Sequence, residues 1–392
     1  MKKKLLIAGG GYADIPLIIA GKELGFHVIT TGNNVTDLGH KYSDEYFQED
    51  FSDYNAMLAL SEKLKINAIC ACSNDFSAIS AAYVAEKMGL KGHDSFKTTL
   101  LLHHKDSYRE FALNNKICSP YAKGFDSIEA ALDAVKDFNL PIIIKPIDLT
   151  GGKGITKIEH YAKANDAIKK AFSISRAKKI VIEEFIIGSR HGFSTFLQKG
   201  KVVFFFSDNE HYYKNPYMVS AASTPSTVNA HIEKKLCAEA EKIAHLLTLQ
   251  NGIFHIQYIL SENIPIIIEI CRRSPGDLYT KFVKLATGVD YPLWIVKTSS
   301  GLSLNQPLTI NPKGFFTRHC IMAEKKGIVS NVSFDYSIKD KIIDSFLWWK
   351  QGDYIDDILT EKLGIVFLRF DSMEEMLRIT ENLPKLIYIE IL

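Results

Sequence analysis

The sequence predicts a chain that combines the α/β and α+β classes. Strand and helix patterns alternate over residues 1–100, hairpin strands and helices mix over residues 101–300, and a smaller segment with both patterns covers residues 301–392. Alternating strands and helices favour right-handed crossovers and a parallel sheet. A chain of 392 residues is also long enough for two or three domains. We therefore place domain boundaries near residues 100 and 300.

The first hundred residues predict a Rossmann-like unit. Apolar runs at residues 5–8, 26–31 and 68–72 predict strands, and the spacing of apolar residues predicts helices at 15–24, 52–63 and 76–88. The turn after the first strand lacks the third glycine of the dinucleotide fingerprint, and no acid ends the second strand. We therefore expect no NAD site. Residues 10–12 and 73–75 lie where such sheets bind ligands, so Asp75 is a candidate substrate contact; the alternative is a helix cap.

Composition excludes several classes of partner and site. Hydrophobic residues make up 46% of the chain and charged residues 23%, with a net charge of +2, so we expect neither nucleic acid nor an anionic membrane as partner. No apolar run approaches the roughly 18 residues of a membrane span. The short apolar run after the N-terminal lysines breaks into glycines, which favours a first strand over a signal peptide. Six scattered cysteines indicate reduced thiols in the cytoplasm.

A glycine-rich loop follows the apolar strand predicted at residues 142–144. The strand ends at Lys145, and the loop contains Gly151, Gly152, Lys153 and Gly154 before a β pattern resumes. Glycines let backbone N–H groups approach phosphate oxygens, and a lysine adds a positive charge. A P-loop would open a helix, whereas this loop closes a hairpin. The pattern predicts a polyphosphate site; the alternative is a surface turn with incidental lysines.

Five motifs occur along the chain in one order: HHKDSYREF at 103–111, IIIKP at 142–146, the loop at 148–154, IVIEEFI at 180–186 and EICRR at 269–273. Their order and spacing resemble the ATP-grasp superfamily over nearly the whole chain. The resemblance implies a Rossmann-like pre-ATP-grasp domain (1–100), a two-lobed ATP-grasp domain (101–300) with a mobile lid lobe at about 125–207, and a small C-terminal α+β domain (301–392).

The resemblance also implies ATP, with Mg²⁺ or Mn²⁺, as cofactors. Lys105 and Lys145 would contact the phosphates beneath the glycine-rich loop. Glu183 would accept a hydrogen bond from the exocyclic amine of adenine, and the backbone of the next residues would pair with the ring; the residues implied for that end are Glu184, Phe185 and Ile186. The alternatives are a solvated helix lysine for Lys105 and a strand-end charge for Glu183.

Three positions depart from the family pattern. Arg190 stands where a ribose-binding carboxylate is usual, and His191 follows it, similar to an Arg-His pair in biotin carboxylase. His191 would contact ribose or phosphate, or else be a partly exposed histidine. Gln257 and Cys271 stand at two metal-ligand positions that usually hold a carboxylate and an asparagine, which leaves Glu269 as the one formal carboxylate. A thiol is a poor Mg²⁺ ligand, so we expect weakened metal binding.

The function implied is an ADP-forming carboxylate–amine ligase that activates a small-molecule carboxylate as an acyl phosphate. Arg273 and Lys145 would be the catalytic cations, and Ser274, Gly276 and Asp277 would shape the acceptor end, where Asp277 could bind an ammonium group. Residues 208–227 are expected to form a polar loop. The alternatives are a biotin-carboxylase-like or purine-pathway ATP-dependent carboxylase or ligase, and a nucleotide-binding protein without turnover. Similar proteins form dimers, so a homodimer is open by analogy.

Overall fold

The computed structural model describes residues 2–149, 152–304 and 313–392. Gly151, expected in the phosphate loop, lies outside these ranges. Within them the chain forms four β-sheets and a set of surrounding helices. None of the helices in these ranges is both long and apolar enough to cross a membrane.

The N-terminal sheet is parallel, as the alternation of strands and helices predicts. Its strand order is β3-β2-β1-β4. The two central strands, β2 and β1, bury almost every side chain. Helix α3 begins where the side chain of Asn74 accepts a hydrogen bond from the N–H of Phe76. The elements are β1 (Lys4–Ala8), α1 (Ile15–Glu23), β2 (His27–Gly32), β3 (Glu45–Gln48), α2 (Tyr54–Leu64), β4 (Ala68–Ala71), α3 (Asp75–Met88) and α4 (Phe96–His103).

A small antiparallel sheet follows, with strand order β5-β8-β6-β7. Strands β6 and β7 form an antiparallel hairpin whose connection contains the glycine-rich segment, as the sequence predicts. Two helices cover one face of the sheet with an apolar cluster that includes Phe138 and Ile168. The elements are α5 (Lys105–Asn114), β5 (Ala122–Phe125), α6 (Ile128–Ala134), β6 (Ile142–Pro146), β7 (Thr156–Ile158), α7 (Ala164–Ile174) and β8 (Ile180–Glu184).

The middle of the chain builds most of a large sheet. Residues 208–211, expected to begin a polar loop, continue strand β10, and residues 221–224 form a further strand; the expectation of one long loop was therefore wrong. The elements are β9 (Ser189–Gln198), β10 (Lys201–His211), β11 (Ala221–Thr224), α8 (Ala230–Leu246), β12 (Gly252–Ser261), β13 (Ile264–Cys271), α9 (Tyr279–Thr287) and α10 (Tyr291–Ser299).

The last eighty described residues extend that large sheet and add a smaller one. The large sheet has eight strands in the order β13-β12-β9-β10-β11-β14-β18-β16, and the small one has the order β17-β15-β19. The elements are β14 (Phe315–Ile321), β15 (Gly327–Phe334), α11 (Tyr336–Lys339), β16 (Ile342–Leu347), β17 (Tyr354–Ile355), β18 (Gly364–Phe370), α12 (Met373–Leu386) and β19 (Ile387–Ile391).

Candidate active site

One cavity of about 410 Å³ lies between the sheet of β5, β8, β6 and β7, called the small sheet below, and one face of the eight-stranded large sheet. This volume falls within the range of ligand pockets. The N-terminal unit and the last eighty residues also contribute to its wall. It brings together most of the residues singled out from the sequence: Asp75, Lys105, Lys145, Gly152, Glu183, Glu184, Phe185, Ile186, Gln257, Glu269, Cys271, Arg273, Gly276 and Asp277.

The floor of the cavity follows from the pleat of the large sheet. Successive side chains of a strand point to opposite faces, so alternate residues share the cavity side. On β10 these are Asp208 and Glu210, and on the paired strands β12 and β13 they include Gln257 and Glu269, which lie opposite each other in the register. Arg318 on β14 belongs to the same floor. The floor is therefore mostly acidic, with one cation at its far side.

A buried ion triad marks the end of the cavity next to the small sheet. The carboxylate of Glu183 is 1% exposed; Lys145 Nζ donates to it at 2.7 Å, and Arg109 lies at 3.1 Å. Burial opposes ionisation of Glu183, but the two cations outweigh it and lower its pKa to about 2. Burial lowers the pKa of Lys145, against the effect of Glu183. Arg109, which sequence reasoning missed, therefore holds the carboxylate together with the expected lysine.

The segment after β8 runs along this end of the cavity. Glu184, Phe185 and Ile186 all line it. The backbone N–H of Phe185 donates to the carbonyl oxygen of Pro141 at 3.0 Å. This N–H is therefore committed inside the protein, so the backbone groups of Phe185 and Ile186 expected to pair with a ring are the remaining ones.

The glycine-rich loop lies over the cavity. Gly152 has φ +76°, and a Cβ placed there would lie 2.8 Å from the Cβ of Tyr217, so only glycine allows the loop to approach this residue. Lys105 Nζ donates to the carbonyl oxygen of Leu149 at 3.0 Å. Lys153 is exposed and lies outside the cavity lining. The described ends of the loop are thus fixed by close packing at Gly152 and by the hydrogen bond from Lys105 on α5 to Leu149.

The side chains of two residues that were expected to contact ligand lie outside the cavity. His191 is 1% exposed and bonds to Ser189 and Ser226, while its neighbour Arg190 lines the cavity. The alternation of strand β9 explains this, because neighbouring side chains face opposite sides of the sheet. Ser274 is fully buried, and its hydroxyl donates to the carbonyl oxygen of Pro275. The expectation that the His191 and Ser274 side chains contact ligand is therefore wrong.

The donors at the expected metal position are few but of a suitable kind. Gln257 Nε2 donates to Glu210 Oε1 at 2.7 Å, and Glu269 lies opposite Gln257. Burial raises the pKa of Glu210, and the charge of Glu269 adds to this effect. Burial also raises the pKa of Cys271 well above its usual value, so its thiol stays protonated and is a weak ligand. In the described ranges no cluster of three or more His, Cys, Asp or Glu side chains forms a metal site.

These residues fit a divalent cation that is held mainly by phosphate oxygens. Mg²⁺ prefers hard oxygen donors and often keeps waters and substrate phosphates as most of its ligands. Glu269 supplies a carboxylate, and Gln257 can supply an amide oxygen. The pKa of Glu210 is raised mainly by burial and further by the charge of Glu269, and a bound cation would offset both effects.

A buried cluster fixes the side chain of Arg273. Its Nε donates to Asp75 Oδ1 at 2.9 Å, and His103 Nδ1 lies 2.9 Å from the same oxygen. Burial opposes ionisation of Asp75, but the charge of Arg273 lowers its pKa far below the usual value. Asp75 is therefore a positioning residue for Arg273, and its expected direct contact with substrate gives way to this role.

Asp277, expected to bind an ammonium group of the substrate, is already paired. Lys362 Nζ donates to Oδ1, Tyr12 OH donates to the same oxygen at 2.7 Å, and Arg318 lies 3.4 Å from Oδ2. Burial opposes ionisation, but Lys362 and Arg318 lower the pKa of Asp277. An ammonium group of the protein itself thus occupies this carboxylate, so the expectation for Asp277 is wrong. Tyr12 belongs to the turn at residues 10–12 singled out from the sequence, whereas Arg318 and Lys362 were missed because they lie far away along the chain.

The sheet of β5, β8, β6 and β7 lies over one face of the eight-stranded sheet, and cations from both line the cavity between them. Residues 112–276 match the family model described as ATP-grasp domain. The resemblance inferred from the five motifs is confirmed, and the chain contains an ATP-grasp domain. Proteins of this class use ATP together with Mg²⁺ or Mn²⁺.

Several enzymes share parts of this sequence or its fold. The chain is 26% identical over 192 residues to the formate-dependent phosphoribosylglycinamide formyltransferase of Methanocaldococcus jannaschii, covering 47% of this chain and 48% of that one. It is 25% identical over 292 residues to the phosphoribosylamine–glycine ligase of Pyrococcus furiosus, covering 69% and 65%. The matches thus span less than two thirds of these relatives. The L-amino acid ligase of Bacillus licheniformis superposes over the whole of both chains with a TM-score of 0.82 at 17% identity, which shows a common fold.

Proposed function

We propose that the protein is an ATP-dependent carboxylate–amine ligase that releases ADP and phosphate. One observation carries the proposal: the side chains of Lys105, Lys145, Glu269 and Arg273 line a single cavity, which Leu149 and Gly152 from the described ends of the glycine-rich loop also line. Cations around a triphosphate and a fixed arginine beside it are what phosphoryl transfer requires, because this chemistry is mostly positioning and charge stabilisation. The matching ATP-grasp domain supports the nucleotide.

The reaction proceeds in two balanced steps. A carboxylate oxygen of the acid forms a bond to the γ-phosphorus of ATP, and the bond to the bridging oxygen breaks with its electron pair going to ADP. The amine nitrogen then attacks the acyl carbon, phosphate leaves with the C–O electron pair, and the amine loses its proton. Arg273 stabilises charge on the transferring group, and the closed loop keeps water from the acyl phosphate.

The two ends of the nucleotide have separate supports in the cavity. The adenine end lies along Glu184 and Ile186, beside the buried pair of Lys145 and Glu183, and the phosphates extend toward Lys105. Mg²⁺ or Mn²⁺, held by Glu269 and Gln257, supplies neutralisation of phosphate charge when bound. The low count of protein carboxylates there makes the cation depend on the triphosphate for most of its ligands.

We assign the regions of the chain as three domains: residues 1–100, residues 101–300 with a lid lobe at about 125–207, and residues 301–392. The separate parallel sheet supports the first boundary, and the separate antiparallel sheet of β5, β8, β6 and β7 supports the lid lobe. Strands β14, β18 and β16 of the third region continue the large sheet of the second, so these two regions act as one support for the cavity.

A second candidate function is nucleotide binding without turnover. The observations in its favour are the amide of Gln257 and the protonated thiol of Cys271 at two expected ligand positions. The same assay separates the two functions, since a binding protein retains ATP but forms no product.

The test is an ADP-release screen with ATP, Mg²⁺ and pairs of carboxylic acids and amines. Release of ADP and phosphate that requires both an acid and an amine supports the ligase. Release of AMP and pyrophosphate would exclude the acyl-phosphate route. Tight ATP binding with no release for any pair would favour the second candidate.

A further inference from the structure

Asp208 is a buried carboxylate that lines the cavity without a partner. Its side chain is fully buried, and neither carboxylate oxygen has a hydrogen bond of good geometry among the described residues, although the Tyr279 hydroxyl and the N–H of Gly192 lie close enough to lower its pKa. It lies across from Gly192 on the paired strand β9, and a Cβ at Gly192 would come within 2.2 Å of Asp208 Oδ1. A buried charge without hydrogen bonds is strongly disfavoured unless a ligand completes it.

Arg318 provides the opposite charge; it is paired with Asp277 through Nη1, which lies 3.4 Å from Asp277 Oδ2, but its Nε is free within the described part of the chain. It is 2% exposed and lines the same cavity, and its Nε has no hydrogen-bond partner among the described residues. Its Nη1 donates a hydrogen bond to the carbonyl oxygen of Asp277 at 3.1 Å. In the described ranges no ion pair joins Arg318 to Asp208, although each charge influences the pKa of the other group. The two charges therefore face a common space that neither fills.

We propose that this space binds the zwitterion of an amino acid, with its ammonium group on Asp208 and its carboxylate on the free Nε of Arg318. The inference rests on the proposed ligase function and names the class of its acid substrate. A ligand with a single positive charge would be opposed by Arg318, and a simple anion such as bicarbonate would be opposed by Asp208. A zwitterion satisfies both buried groups at once.

The other charged groups around Asp208 agree with this assignment. Glu210 lies on the same face of β10, Tyr279 lies on α9, and Lys362 is already paired with Asp277. Burial raises the pKa of Asp208 to about 7, and the charge of Glu210 adds to the effect. Both effects favour the neutral carboxyl in the free protein, and a bound ammonium group would offset them by favouring the ionised form.

The arrangement also decides which end of the amino acid reacts. An ammonium group held against a carboxylate has no free electron pair, so it cannot attack an acyl phosphate. The carboxylate, held by one oxygen on Arg318 in the cavity that also contains Arg273, is the group that can take the γ-phosphoryl group. The bound amino acid is therefore the acid partner, and the nucleophile is a second molecule.

The first experiment uses the unaltered protein with ATP, Mg²⁺ and hydroxylamine as nucleophile. Each proteinogenic L-amino acid, β-alanine and 4-aminobutyrate are tested separately, beside the matched acid without the amine and the matched amine without the acid. Hydroxylamine displaces phosphate from an acyl phosphate and leaves a hydroxamate. At least one amino acid should give a hydroxamate, and the matched acid should require a concentration at least about 10-fold higher, since it cannot pair with Asp208. Equal turnover of the acid without the amine would overturn the proposal.

The second experiment compares Asp208→Asn with a matched exposed change, Asp126→Asn, in the loop between β5 and α6. The first variant should raise KM for the amino acid on the order of 10²-fold, because it removes the partner of a buried ammonium group, with KM for ATP nearly unchanged. The second should leave both constants unchanged. An unchanged KM in Asp208→Asn would overturn the proposal. Should that variant fail to fold, the comparison of amino acid with matched acid in the unaltered protein still decides.

Failure of the ligase proposal has a different signature. Calorimetry measures the binding of Mg²⁺-ATP and of the amino acid separately. If the unaltered protein does not bind Mg²⁺-ATP, the ligase proposal is overturned. The amino-acid titration alone then shows whether the amino-acid site exists. ADP formation with simple acids but without preference for amino acids retains the ligase and overturns the zwitterion site.

Discussion

Replacing Glu183 by glutamine tests the buried ion triad at the adenine end. The carboxylate is 1% exposed between Lys145 at 2.7 Å and Arg109 at 3.1 Å. Its pKa falls from the ordinary 4.5 to about 2, which corresponds to about 3 kcal/mol at about 1.4 kcal/mol per pH unit. Because Glu183→Gln also leaves two buried cations without an anion, we expect a loss of about 3–5 kcal/mol in the free energy of unfolding at pH 7. Burial already lowers the pKa of Lys145, so release of its proton would bring the loss toward the lower end.

The sign of the pH dependence is fixed by the depressed pKa. The ionised carboxylate of Glu183 contributes its full share to the free energy of unfolding above about pH 4.5, and this share is lost as the pH falls toward 2. The difference in free energy of unfolding between the unaltered protein and Glu183→Gln should therefore narrow over that interval. Urea unfolding at pH 7 and at about pH 3.5 measures it. The control is Glu184→Gln at the next position, where the described residues provide no ion pair. Equal stability of Glu183→Gln and the unaltered protein at pH 7, or a gap independent of pH, would refute the reasoning.

Three further outcomes are expected. Lys145→Ala should weaken ATP binding by about 10²-fold or more, since it removes a charged phosphate contact; calorimetry with full affinity would show that the phosphate site lies elsewhere. Gln257→Glu combined with Cys271→Asn should lower the Mg²⁺ concentration for half-maximal ADP release by about 10-fold, because hard oxygen ligands are added; an unchanged metal titration would remove both positions from the metal site. The pKa of Asp208 is raised from 3.8 to about 7. The free energy of unfolding should therefore fall by about 4 kcal/mol in total as the pH rises from about 4 through 7, because the carboxyl ionises more readily in the unfolded chain. This prediction is supported if the melting temperature falls over this pH range in the unaltered protein but not in Asp208→Asn. It is contradicted if the two melting temperatures change in parallel with pH.

The fold was predictable where local patterns are strong. The parallel N-terminal sheet, the hairpin β6–β7 and the paired strands β12 and β13 each combine apolar runs with glycine or turn residues, which fixes their type from nearby sequence. The extension of β10 was missed, although Phe204, Phe206 and Asp208 keep the strand period of two and are all buried. Asp208 was read as the start of a loop because its residue type disfavours strands.

The site was predictable for residues that sit inside motifs and less so for those brought in by tertiary packing. Lys105, Lys145 and Arg273 line the cavity as expected, whereas Arg318 and Lys362 come from strands and turns with no local signal. His191 was misplaced for a reason visible in the sequence, since the period of two along β9 assigns it and Arg190 to opposite faces.

The contacts of Asp277 have a consequence for how the substrate preference of this protein can change. Tyr12, Asp277 and Lys362 meet at one point although Tyr12 lies 265 positions and Lys362 lies 85 positions from Asp277 in the chain. Reshaping this corner for a bulkier or differently charged molecule would require compensating replacements in three remote segments together. Such a requirement makes gradual drift in specificity slow there.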